Sequence, residues 1–126
     1  MRLIAASLAC TALLYPLQLL AAPGDMSAAD FLTRADKLKA KGPMALLSSD
    51  FKHLKGEAEA AGASYRARLK ADKAAGHPPH SCPPRKAAMN SDELLAHLRS
   101  YPEARRPSIT MKVAFAELMR KKYPCA

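Results

Sequence analysis

In a chain of 126 residues there is one valine, Val113, two isoleucines, Ile4 and Ile109, and three threonines, Thr11, Thr33 and Thr110. Tryptophan is absent. A β-sheet needs β-branched and aromatic side chains to cover its pleated faces. This chain cannot supply them, so sheet-based enzyme folds, sandwiches and barrels are excluded. Apolar residues make up 49 %, but many are alanines, which favour helix over any other state. The length leaves room for one domain with one core.

The first 22 residues read as a secretory signal peptide. Met1-Arg2 gives a positive start, Leu3 to Leu20 is mostly apolar, and Ala21-Ala22 offers small residues for cleavage. Pro23 sets the cut at Ala21 or as late as Gly24. Pro16 and Gln18 weaken the alternative of a membrane anchor. The expected destination is the periplasm, with no integral span once the leader is gone. Loss of Arg2 lowers the formal charge from +9 to +8. Cys82 and Cys125 then remain, and an even count in an exported chain reads as a disulfide. Such a bond closes a loop of about 44 residues and stabilises by roughly 4 kcal/mol.

The working chain, residues 23–126, reads as a single all-α domain of four to five helices, its C-terminal helical pair clamped by the disulfide. The first helix spans Asp25 to Gly42, with Ser27 and Asp30 placed as a capping box. Gly42 and Pro43 stop it. A short turn over Pro43–Leu47 leads to a long helix that Ser48 or Ser49 caps and that ends near Ala75. Its stripe is Phe51, Leu54, Ala58, Ala61, Tyr65 and Leu69, at helical spacing. The small residues in its middle allow another helix of the same chain to approach closely; a homodimer seam is the alternative use. Residues 77–84 carry four prolines and read as an extended hinge. Asn90 and Glu93 form a capping box for a third helix, which Pro102 ends. Pro107 suits the first position of a last helix running to Lys122.

No residues in this pattern point to catalysis. There is no G-x-S-x-G elbow, H-E-x-x-H helix or Gly-rich phosphate loop, and His53 and His97 each stand alone on a helix. His77, His80 and Cys82 have loose metal-ligand spacing, and an oxidised Cys82 is no thiolate ligand. The reading is therefore a protein without catalytic, metal or cofactor residues. The lysines and arginines are spread over all the helices of an exported chain, which argues against nucleic acid as the partner.

Four stretches of the C-terminal half stand in a suggestive order: Cys82-Pro83; Ser91-Asp92-Glu93-Leu94-Leu95-Ala96-His97-Leu98-Arg99-Ser100-Tyr101-Pro102-Glu103; Ala114-Phe115-Ala116-Glu117-Leu118; and Tyr123-Pro124-Cys125. Together they resemble the Rap1a/Tai family of periplasmic immunity proteins. The likeness covers residues 82–125. It implies a small helical, disulfide-bonded periplasmic protein. Members of that family bind type VI secretion effectors that attack the cell wall, notably amidases, and some act as dimers. The N-terminal half departs from the family in having no cysteine.

The expected function is a non-enzymatic binding protein that covers a toxin's active cleft. The loop Tyr101–Pro107 is the candidate contact, through Tyr101, Glu103, Arg105 and Arg106, because loops on rigid scaffolds carry function. The alternative is a holdase-like periplasmic chaperone or an envelope-associated structural protein.

Overall fold

A computed structural model describes residues 21–126. The expected signal peptide lies outside the described residues except for Ala21 and Ala22. The described chain is all-α. It contains α1 (Ala28–Ala40), a 3-10 turn η1 (Gly42–Leu47), α2 (Ser49–Ala74), α3 (Ser91–Ser100), a second 3-10 turn η2 (Glu103–Ser108) and α4 (Met111–Lys122).

Each α-helix begins on a side chain that accepts a hydrogen bond from an otherwise unpaired first-turn amide. Ser27 takes the amide of Asp30 and Ser48 that of Phe51. Asn90 and Glu93 complete a reciprocal capping box on α3. Gly42, at φ +67, turns the chain out of α1 as a left-handed stop, and Pro43 follows at the head of η1.

The start of α4 differs from the sequence reading. Pro107 lies inside η2, while Ile109 and Thr110 are extended. Thr110, whose hydroxyl accepts from the Val113 amide at 3.3 Å, is the cap. The physical cause is tertiary. The carbonyl of Ile109 accepts from Ala28 N at 2.8 Å, and Ser27 pairs with Thr110 in an isolated antiparallel bridge. A helix starting at Pro107 would turn that carbonyl along its own axis. Two of the few β-branched residues thus sit in extended backbone, where their stiff side chains fit best.

The core draws on all four α-helices: Phe31 and Leu32 from α1, Leu54 and Ala61 from α2, Leu94 and Leu98 from α3, Met111 and Ala114 from α4. The most extensive pairing is α2 with α4, so the two sides of the Pro-rich segment share one interior. The small-residue stripe makes this pairing close. A Cβ placed on Gly62 would stand 3.4 Å from Cζ of Phe115. Tyr65, Ala116 and Met119 form a satellite cluster beside it.

A buried acid fixes the chain's entry into the fold. The Glu57 carboxylate, on α2, accepts from Gly24 N at 2.7 Å and Met26 N at 3.3 Å. From the other side, Met111 N donates to Met26 O at 2.9 Å and Lys112 N to Gly24 O at 3.0 Å. Residues 24–26 are thereby held between α2 and the first turn of α4. Gly24 has φ +92 and no room for a side chain: a Cβ would meet Lys112 at 3.1 Å and Ala61 N at 3.3 Å.

Cys82 and Cys125 are bonded, with Cα atoms 5.0 Å apart. The amide of Cys82 also donates to Tyr123 O at 2.9 Å. The Pro-rich segment is thus tied to the end of α4 by a covalent and a polar link.

Candidate functional site

A half-open groove of about 670 Å³ runs along one face of α2. Its wall on α2 runs from Phe51 to Leu69, a length of about 27 Å at the helical rise. Phe31 and Leu38 of α1 and Leu94 and Leu95 of α3 form the opposite side, and Met89 and Phe115 line it as well. These elements leave a groove because the α2 stripe is longer than α4 can cover. Alanines and glycine in its middle set the wall back from its neighbours. An apolar cleft of this size with a few polar groups at its edge has the form of a binding site.

The polar edge is cationic. Lys55, Arg66 and Arg85 line the groove, with Glu59 as the one acid. Lys55 and Glu59 pair with each other at 3.7 Å. Arg66 and Arg85 have no ion-pair partner among the described residues. A guanidinium offers a planar fork of donors suited to a carboxylate or phosphate. The groove therefore combines apolar depth with two unpaired anion-recognising groups.

The loop singled out from sequence lies elsewhere, on the rigid turn η2. Arg106 folds back into it, donating from Nε to Tyr101 O and from Nη2 to Arg99 O, both at 2.9 Å. Tyr101 is half-buried and its hydroxyl donates to the Glu117 carboxylate. That hydroxyl has one proton, so its oxygen is left to accept from His97 Nε2 at 3.0 Å. Burial first, then the Glu117 carboxylate, raises the Tyr101 pKa above its ordinary value. Burial lowers that of His97, and Lys121 adds to the effect against Glu117. Tyr101 and Arg106 therefore fasten the loop, while Glu103 and Arg105 project into solvent.

Cys82 is oxidised, and His80 Nδ1 lies 2.9 Å from the Tyr65 hydroxyl. That hydroxyl also bonds the buried Ser81 Oγ at 2.5 Å. Burial lowers the His80 pKa, and the charges of Arg68 and Arg120 lower it further, against Asp72 and Glu117. A neutral His80 can accept the Tyr65 proton while Ser81 donates to Tyr65. Among the described residues no three His, Cys, Asp or Glu side chains converge as metal ligands.

Two features had no clear signal in sequence. The groove is made by residues from all four α-helices and the segment after Cys82. Glu57 sits within a run of alternating small and acidic residues, and its partners are 31 and 33 positions upstream. Comparison with protein-family models, with curated proteins and with solved structures found no match in any of the three.

Proposed function

We propose that this chain is an exported, non-enzymatic binding protein of the immunity type, acting in the periplasm by covering a functional surface of a protein partner. The resemblance of residues 82–125 to Rap1a/Tai proteins suggests a secreted, cell-wall-degrading effector such as an amidase as that partner. The observation that carries the reading is the groove along α2 with its two unpaired arginines. It suits an apolar partner segment flanked by a carboxylate, with the apolar side chains as buried anchors and Arg66 and Arg85 fixing orientation. The disulfide is compatible with an oxidising compartment, and it stiffens the segment that carries Arg85. A pre-formed, rigid surface binds with less ordering cost than a flexible one.

The test is affinity capture on the oxidised protein from periplasm and culture supernatant, followed by capture with Arg66→Glu/Arg85→Glu. One stoichiometric partner, lost in the double variant, is the expected result. Recovery of many unrelated unfolded clients would favour the holdase reading instead. A single partner held equally by both proteins would remove the groove from the mechanism.

A further inference from the structure

A second surface lies on η1, apart from the groove. Among the described residues the exposed large apolar side chains are Met44, Leu46, Leu47 and Val113, and the first three share this one six-residue turn. They are 69 %, 62 % and 76 % exposed. The turn is not loose. Ala45 between them is buried, and its carbonyl accepts from both the amide and the hydroxyl of Ser48, at 3.0 and 2.6 Å. The small side chain faces the protein and the three long ones face out, at a hydrophobic cost that folding alone does not explain.

Lysines surround this ridge. Lys37 and Lys39 lie in the last turn of α1, Lys41 caps η1, and Lys52 and Lys55 lie in the first turns of α2. All five are exposed. Lys55 is paired with Glu59 at the groove; from position 36 to 54 the acids are Asp36 and Asp50 against four lysines, a net +2. Both acids are engaged, Asp36 with Arg99 at 2.7 Å and Asp50 with Lys41 at 3.5 Å. Lys37, Lys39 and Lys52 have no ion-pair partner among the described residues.

We propose that η1 seats the protein on an anionic phospholipid surface, with Met44, Leu46 and Leu47 entering the headgroup–acyl boundary and the lysines lying over the headgroups. The composition selects this occupant. Protein–protein interfaces are enriched in aromatics and arginine and depleted in lysine. The turn Gly42–Leu47 itself has no aromatic and no arginine, and unpaired Lys37, Lys39 and Lys52 flank it. A second copy of the chain would bring two like-charged rims together, which opposes association. A bilayer with negative headgroups complements both parts at once. Modest apolar insertion combined with a basic patch is the two-signal arrangement that makes peripheral attachment stable yet reversible.

Vesicle co-sedimentation of the purified, oxidised protein tests this. Phosphatidylglycerol-rich vesicles should retain the protein, and pure phosphatidylcholine vesicles should retain at least tenfold less. Added salt should weaken the retention. Met44→Ser/Leu46→Ser/Leu47→Ser and Lys39→Glu/Lys52→Glu should each lower binding about tenfold or more, with unchanged helical circular dichroism, since all five positions are exposed. Equal binding to both vesicle types would overturn the proposal, and so would full retention by the serine variant. Absence of vesicle binding together with a native oligomer that the serine variant dissociates would also overturn it, and would assign the ridge to self-association. The lipid comparison uses the native chain alone, so it decides even if a variant misfolds.

Discussion

Glu57→Ala should be among the most damaging single changes in the molecule outside the apolar core. The residue is 9 % exposed, and its carboxylate receives two backbone amides, one at 2.7 Å from the buried Gly24 and one at 3.3 Å from Met26. Hydrogen bonds to a charged acceptor contribute about 1.5–3 kcal/mol each, the longer bond falling at or below the lower end. Removing both leaves the amide of the buried Gly24 without its protein partner. The sum is about 3 kcal/mol, against a total of about 5–15 kcal/mol for a domain of this kind. Urea unfolding of the oxidised protein reads this directly. With a slope of about 1.5 kcal/mol/M, the midpoint should fall by about 2 M. Glu57→Gln keeps an acceptor without the charge and should lose about half as much. Hydrogen exchange should show Gly24, Met26, Met111 and Lys112 losing protection together, since all four amides belong to the same strip. A midpoint for Glu57→Ala within about 0.3 M of the native value would refute the account, as it would mean that these bonds are worth well under 1 kcal/mol.

The glycines should respond in opposite directions. Gly56→Ala, in a helix interior with open space around it, should stabilise by about 0.5–1 kcal/mol. Gly24→Ala, at positive φ and in contact with Lys112 and the α2 backbone, should destabilise by more than about 1 kcal/mol; thermal unfolding of the two variants checks the sign. Stability should fall as pH drops below about 6.5, because burial lowers the folded pKa of His97 and His80 and the unfolded chain then binds more protons. The Lys122 bond lowers the Glu93 pKa, so that carboxylate's contribution, present above the ordinary glutamate range, is lost only at lower pH. Urea midpoints across pH should show both steps, and His97→Gln should flatten the upper one. Reduction of Cys82–Cys125 should cost roughly 4 kcal/mol by loop entropy, and mass spectrometry under thiol-blocking conditions should find the pair linked in the native protein.

Local signals in this sequence reported local structure well. Ser27, Ser48 and the Asn90/Glu93 box act within three residues, and each stands where the helices begin. The pairing of Cys82 with Cys125 followed from setting Cys10 aside with the expected leader, which leaves two cysteines. The alanine–glycine centre of α2 announced a close helix partner, which is α4. The failure at Pro107 is instructive. Proline at a helix's first position is a sound local preference, but a carbonyl at Ile109 engaged 81 positions away outweighs it. The helix instead starts after Thr110, whose hydroxyl caps it. Glu57 was not legible, because a buried acid on an alanine-rich helix differs from an exposed one only in what distant chain reaches it. The groove shares that difficulty: its apolar residues each look like core, and only their arrangement leaves a cleft.

The strip at residues 24–28 also bears on the order in which the fold can be completed. Its partners are the carbonyl of Ile109 and the amides of Met111 and Lys112, so this N-terminal strip waits for the last helix. A chain emerging from its N-terminus therefore cannot close this structure early. Until α4 is present, Glu57 has no fixed amides to hold, the α2 stripe lacks its main cover, and Cys82 has no partner within reach. A long-range closure of this kind slows folding relative to a bundle held by neighbouring helices. Residues 24–28 and Cys82 therefore gain their partners only in the last step, when the C-terminal end of the chain arrives.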